Sequence, residues 1–367
     1  MKLPRRTFLR LVAGAAALPA VSRVAWAQAY PTRPVRLVVP FPPGGASDIV
    51  ARIMGRWLSE RIGQPVVIEN KPGGNTNIAV QAVANSPPDG YTLLLVGSSA
   101  AVNATFYETL PFNLLRDIAP VAGLSRNPMV LEANPSVPAK TVVELIAHAN
   151  ANPGKITMAS YGTGSMSHVA GELFKMMTGV NMAHVPYRGG APMVTDLLGG
   201  QVQVAIDVMS SSLPHIRSGA LRALAVTTTT RLEALPDVPT VAETAPGYEA
   251  LAWTGLGVRR GTPPTVIEKL SREINAGLAN PDIKARFAEL IMTPMVFSPA
   301  EFGAYMAAET EKWGRVIRLH RPLRRGGCAG GHRVDARQIS SPRRASEVLE
   351  FPHRVSPAEA GLEGAHH

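Results

Sequence analysis

Val35-Arg36-Leu37-Val38-Val39-Pro40-Phe41-Pro42-Pro43-Gly44-Gly45-Ala46-Ser47-Asp48 is the stretch whose reading decides the fold. Val35, Leu37, Val38 and Val39 form a short β-branched-rich run that suits a buried parallel strand. Pro40, Pro42 and Pro43 stop the strand, and at Gly44 and Gly45 the backbone can take positive φ or approach a ligand. Ile49, Ile53, Trp57 and Leu58 then recur at helical spacing. A strand that feeds a helix N-terminus through a Gly-rich turn offers unpaired amides and partial positive charge to an anion. A plain tight connection with nothing bound has the same local pattern, so the rest of the chain must separate the two.

Working outward, the strand–turn–helix unit recurs. Pro65–Asn70 reads as a strand before the turn Lys71–Asn75, and Ile78–Ala84 as a short helix. Tyr91–Val96 reads as a buried strand ending in Gly97-Ser98-Ser99-Ala100. Later come the strand Lys155–Ser160 with the turn Tyr161-Gly162-Thr163-Gly164-Ser165, then Met182–Val185 with Pro186-Tyr187-Arg188-Gly189-Gly190, then Gln201–Val208, Leu221–Thr227 and Leu251–Val258. Strands alternating with helices predict an α/β fold with a mainly parallel sheet. Ligands bind at the carboxyl edge of such sheets, where Gly44–Asp48 and Ser98–Ser99 fall. Around residues 120–140 the texture turns to scattered Pro, which reads as a passage into a second domain. Thr141 can cap a helix through Ala149, and helices are expected from Pro263, Pro281 and Pro299.

The 367 residues are enough for two sizeable cores. The net charge of +10 sits at the ends. Residues 1–27 carry five basic side chains and no acid, and residues 318–367 carry nine Arg against five acids, which leaves +1 between them. The body therefore has no nucleic-acid footprint. Arg5-Arg6 with Phe8-Leu9, an apolar run from Leu11 to Ala20 and Ala-x-Ala sites near Ala27 predict an export signal over 1–27. The Arg pair fits a twin-arginine signal, or the basic start of a general secretory one. Cys328 is the sole cysteine, so core packing rather than disulfides holds the fold. Beyond Arg318 the Arg-, Gly- and His-rich text has no period, and 319–367 is expected to be a disordered or non-native tail. Its His residues and Cys328 match no metal-site spacing.

The chemistry favours binding. Ser165 and His168 can share a helix face, but an orienting acid and a Gly-x-Ser-x-Gly elbow are missing. The simpler reading has Ser165 as a helix cap, with His168 in the core or on a ligand. Gly162-Thr163-Gly164 lacks the third glycine of a dinucleotide motif, and there is no P-loop. No cofactor, metal set or catalytic residue is predicted. Asp48 can complement a helix dipole or take part in a site. Asp207 can accept from a ligand amine or hydroxyl, or from a backbone amide. Arg188 can pair with a carboxylate or lie in solvent, and Tyr187 shares its turn. An exported α/β protein of this kind suits a small anion held between two lobes.

Six motifs in order carry a resemblance: Phe41–Asp48, Asn70-Lys71-Pro72-Gly73-Gly74, Tyr161–Ser165, Val185–Gly189, Asp196-Leu197-Leu198-Gly199-Gly200-Gln201-Val202 and Leu235-Pro236-Asp237-Val238-Pro239-Thr240. Over about residues 30–318 the chain resembles the Bug family of extracytoplasmic receptors for tripartite tricarboxylate transporters. The resemblance implies a type II periplasmic-binding-protein fold: two α/β lobes, 28–124 with 248–318 and 125–247, with a ligand cleft between them. It implies a periplasmic, monomeric receptor that passes a dicarboxylate, amino acid or aromatic acid to membrane subunits. Carried over, Phe41, Gly44, Gly45, Ala46 and Asp48 would hold the carboxylate from one lobe, and Thr163, Gly164, Ser165 and His168 from the other. Ser98, Tyr187, Arg188 and Asp207 are further candidates. The alternative is an exported hydrolase or transferase using Ser165 and His168.

Overall fold

The computed structural model describes residues 30–319; the expected export signal and the tail after Leu319 lie outside them. The chain runs β1 (Val35–Val39), α1 (Ala46–Ile62), β2 (Val66–Asn70), α2 (Asn77–Ala84), β3 (Thr92–Gly97), α3 (Ser98–Phe106), α4 (Leu114–Asp117) and β4 (Ile118–Ala133). It continues α5 (Val142–Ala151), β5 (Thr157–Ser160), α6 (Met166–Thr178), β6 (Ala183–Pro186), α7 (Gly190–Leu198), β7 (Val204–Val208), α8 (Met209–Arg217) and β8 (Arg222–Val226). It closes with β9 (Leu251–Arg259), α9 (Pro264–Ala279), α10 (Pro281–Glu289), β10 (Thr293–Pro294) and α11 (Pro299–Leu319).

The first lobe is a sheet in the order β2-β1-β3-β9-β4, parallel from β2 to β3 and antiparallel beyond. Alternation along its strands separates two cores. Leu37, Val39, Leu93 and Leu95 pack with Met54 and Leu58 of α1 and with Leu270 and Ile274 of α9. Val38, Leu94 and Val96 pack on the opposite face with Val80 of α2, Ala101 of α3 and Phe302 and Met306 of α11. Helices thus cover both faces, as the apolar runs require. The second lobe repeats the plan with β4-β7-β5-β6, and β8 on the other side of β4. Met158 and Ile206 face α6 through Val169 and Leu173, while Ala159 and Ala205 face Met193 and Leu197 of α7.

The passage expected at 120–140 is made by one long strand, β4, which ends at Ala133. β4 pairs with β9 through Pro128 and then lies between β7 and β8 from Met129 onward. Register shifts between Pro120 and Ala122 and between Gly123 and Ser125 absorb the irregularity that the Pro- and Gly-bearing text announces. One strand therefore belongs to both sheets, and pairing changes hands at Pro128/Met129. α11 also crosses the junction, since Phe302 sits in a first-lobe core while Trp313 and Ile317 pack with second-lobe residues.

Thr227 ties the second crossing to the first. Its hydroxyl lies 3.0 Å from the Met129 carbonyl, 2.6 Å from the Ala250 carbonyl and 3.1 Å from the Met129 amide, and the residue is fully buried. Its backbone amide also donates to Met129 O at 2.9 Å, and its carbonyl accepts from the Ala250 amide at 3.0 Å. Thr227→Val keeps the shape and removes the hydroxyl. It should lower stability by about 1–3 kcal/mol. Urea denaturation should show a lower midpoint at an unchanged slope.

Candidate ligand-binding site

A cleft of about 630 Å3 lies between the carboxyl edges of the two sheets. Its first-lobe wall is the Pro40–Ser47 loop, the end of β3 with Ser98 and Ser99, and Trp253 and Thr254 of β9. Its second-lobe wall includes Tyr161, Arg188–Pro192, Val194, Thr195, Asp207, Ser211 and His215, and Asn127 of β4 also lines it.

Besides α2, which continues a 3-10 turn at Thr76, four helices turn uncapped N-termini to this space. α1, α3, α7 and α8 have Gly45, Gly97, Gly189 and Val208 at the N-cap, and none supplies a side-chain hydrogen bond. All four of these residues line the cleft. By contrast α4, α5, α6 and α10, away from the cleft wall, are capped by Asn113, Thr141, Ser165 and Asn280. The first-turn N–H groups of a helix have no carbonyl of that helix to pair with, and the dipole makes them attractive to an anion. The cleft gathers such ends from both lobes.

The Gly-rich loop is held in place from below. Asp48, 2 % exposed, accepts from the Gly44 amide at 2.9 Å, from Arg52 Nε at 2.8 Å and from Asn70 Nδ2 at 2.9 Å. The same Asn70 amide donates to Phe41 O at 2.9 Å. Strand β2 thereby grips both ends of the loop that leaves β1. Gly44 sits at φ 86°, a left-handed conformation that glycine takes without a Cβ penalty. Burial alone would raise the Asp48 pKa, but the Arg52, Gly44 and Asn70 hydrogen bonds outweigh it and hold the carboxyl below its usual value.

The structure divides the sequence-predicted residues into two groups. Phe41, Gly44, Gly45, Ala46, Ser98, Arg188 and Asp207 line the cleft. Asp48, Thr163, Gly164, Ser165, His168 and Tyr187 are not among its lining residues. Ser165 caps α6, accepting the His168 amide at 3.3 Å. The His168 ring takes the Gly164 N–H at Nδ1, 3.0 Å away, and stacks on His184 at 3.9 Å. The bond between Ser165 and His168 thus runs through the backbone amide and not the ring. Gly164 is pressed between lobes: a Cβ there would come within 2.9 Å of Asn75 Nδ2 and 3.0 Å of Phe106. Tyr187 donates to Asp196 at 2.7 Å. Asn127, His215 and Trp253 were not singled out by the sequence. The last two lack any local motif, and Asn127 lies in the strand that scattered Pro conceals.

The model of the tripartite tricarboxylate transporter family receptor matches residues 50–321. The chain belongs to this family. Protein BugT of Bordetella pertussis is 40% identical over 295 residues, which is 80% of this chain and 90% of that protein. Among solved structures, R. palustris Rpa4515 with adipate shares 37% identity and a TM-score of 0.76, covering 79% of this chain and 97% of that one. MatC from Rhodopseudomonas palustris, solved with bound malate, shares 30% identity and a TM-score of 0.73, covering 78% of this chain and all (100%) of that one. The fold is that of periplasmic binding proteins, as the resemblance implied. The chain is a solute-binding receptor of this transporter family, a class of receptors rather than of enzymes. No helix among the described residues is long and apolar enough to cross a membrane.

Asp48 gives a test of the loop's support. Its folded pKa is depressed, so its contribution is fully present above the unfolded value of about 4 and is lost as pH falls through the lower folded value. Asp48→Asn should cost about 1–3 kcal/mol at pH 7. Arg52 is largely in solvent, so most of that cost comes from the Gly44 and Asn70 donors. In pH-dependent urea denaturation, the gap between wild type and variant should narrow as pH drops from 5 towards 2.

Proposed function

We propose that the cleft captures a small carboxylate, a dicarboxylate, amino acid or aromatic acid, and presents it to the membrane subunits of a tripartite tricarboxylate transporter. The observation that carries this reading is the convergence of four uncapped helix N-termini on one cleft in a chain whose other helices are mostly capped by side chains. Relatives solved with adipate and with malate support the carboxylate class. Phe41, Gly44, Gly45, Ala46 and Ser98 form the first-lobe part of the site, and Arg188 and Asp207 the second-lobe part. Asp48, Thr163, Gly164, Ser165, His168 and Tyr187 act by holding the loops that carry them. The lobes divide where β4 changes partners and where Thr227 meets Ala250, and they close on the ligand about those crossings. The protein works as a monomer without catalysis or cofactor, after export on the twin-arginine-like signal of residues 1–27 and its removal.

Screening the purified protein by thermal unfolding against mono- and dicarboxylates, amino acids and aromatic acids tests the reading. Ligand at a hundredfold excess over Kd should add about 2.7 kcal/mol and raise the midpoint by a few degrees. The compound should be recovered unchanged. No shift across the panel would contradict the carboxylate class, and consumption of the compound would favour the hydrolase alternative.

Gly45→Val probes the anion end directly. Gly45 has an ordinary φ of −81°, and a Cβ there would meet only the Pro42 carbonyl at 4.0 Å. Stability should change by less than about 1 kcal/mol. The new side chain would crowd the first turn of α1, so calorimetric affinity for the stabilising carboxylate should fall at least tenfold.

A further inference from the structure

Part of the cleft wall carries buried acceptor atoms without donors. Asp207 ends β7 and lines the cleft, yet it is only 1 % exposed. Its Oδ1 takes the Val208 amide at 2.8 Å, whereas its Oδ2 is buried with no hydrogen-bond partner. Asn127 also lines the cleft, 5 % exposed, and its Oδ1 is equally without a partner. Behind them stands a second acid. Asp207 pairs with Val130 and Ala205 with Glu132, so Asp207 and Glu132 are diagonal neighbours on one face of β7 and β4. Glu132 is fully buried; its Oε1 accepts from Ser212 at 2.9 Å and its Oε2 has no partner.

Buried acceptors without donors cost free energy, and two buried acids without a cation cost more. Burial pushes the Asp207 carboxyl up to about 7. Burial, together with repulsion from Asp207, pushes Glu132 well above its ordinary value, against the Ser212 hydrogen bond. Tyr161, after β5, also feels the Asp207 charge, while Arg188 and His215 line the same cleft. Although Val208 opens α8 beside it and Arg188 and His215 line the same cleft, Asp207 Oδ2 and Asn127 Oδ1 have neither a positive charge nor a donor bonded to them. An ammonium group brings both, with three N–H bonds to share. An ionised carboxylate brings neither.

We infer that Asp207, flanked by Asn127 and backed by Glu132, receives an ammonium group, so that the preferred ligand is a carboxylate bearing an ammonium at its other end. This assignment rests on the carboxylate-receptor reading and narrows it: the first-lobe helix N-termini of α1 and α3 take the carboxylate, and Asp207 of the second lobe reads the ligand's other group.

The two chemistries have opposite pH dependence. An ammonium binds the ionised Asp207, so its affinity rises as pH passes through about 7. A second carboxylate can only hydrogen-bond to a protonated Asp207, so its affinity falls over the same range. The test is isothermal titration calorimetry of the purified protein at pH 6 and pH 8. The probes are ω-amino acids with four, five and six carbons and the matched dicarboxylates and monocarboxylates. We expect an ω-amino acid to bind at least tenfold tighter than its matched partners and to tighten about tenfold from pH 6 to pH 8. Asp207→Asn should cut its affinity at least tenfold and flatten that pH dependence. The wild-type profile stands independently of how well the variant folds. A dicarboxylate that binds tightest and weakens with rising pH would overturn the inference while leaving the carboxylate reading intact. So would an unchanged preference in Asp207→Asn. Absence of binding by every probe would overturn the inference, and the carboxylate reading as well if the wider thermal screen also gives no shift.

Discussion

The site depends on one carboxylate that is not in its wall. Asp48 gathers the Gly44 amide, the Asn70 side chain and Arg52 around a buried pair of oxygens. That grip sets the path of the Pro- and Gly-rich loop between β1 and α1. Without it the loop would be a run of prolines and glycines with no side chain of its own to fix it. With it, the loop leaves the first turn of α1 uncapped and turned to the cleft. Because Asn70 also holds the Phe41 carbonyl, β2 braces the loop at both ends. The support is a charged group in the protein, and the product of that support is a bare helix end on the cleft wall.

The second constraint is the chain's route between lobes. β4 takes part in both sheets, and Thr227 fastens the return crossing to Met129 and Ala250. The lobes are thus joined by hydrogen-bonded extended backbone, which can bend a few torsions without unfolding either core. α11 lies across the same junction with aromatic side chains in the cores on both sides. On either side of the cleft each sheet keeps its own helices and packing. Gly164 of one lobe already lies against Asn75 and Phe106 of the other, at the side of the cleft.

Much of this was legible in the sequence. The apolar runs at Val35–Val39 and Tyr91–Val96 mark central strands, because a strand covered on both faces has no polar side. Thr141 and Ser165 announce helix starts through their hydroxyls, and both cap as read. The motif order also identified the family. Other features were hidden for physical reasons. Pro120 and Pro128 disguise β4, since proline argues against a central strand unless bulges or a change of partner accommodate it. α3 was missed because Ser98-Ser99-Ala100-Ala101 has no apolar stripe; its burial comes from tertiary packing all round. Asp48 looked like a dipole partner, and its bond to Asn70 needs β2 to lie beside β1. Glu132 stands alone in the run Met129–Ala133, and only the register with β7 shows that it backs Asp207.

Helix N-termini left bare by the protein are the proposed seat of the ligand's carboxylate. A crystal structure of the complex with the carboxylate that stabilises the protein most would test it most directly. The account predicts carboxylate oxygens within hydrogen-bond reach, directly or through one ordered water, of first-turn amides of α1 and α3, with the Asp48–Gly44 bond intact. A carboxylate bound elsewhere, with those helix ends facing only bulk solvent, would contradict it.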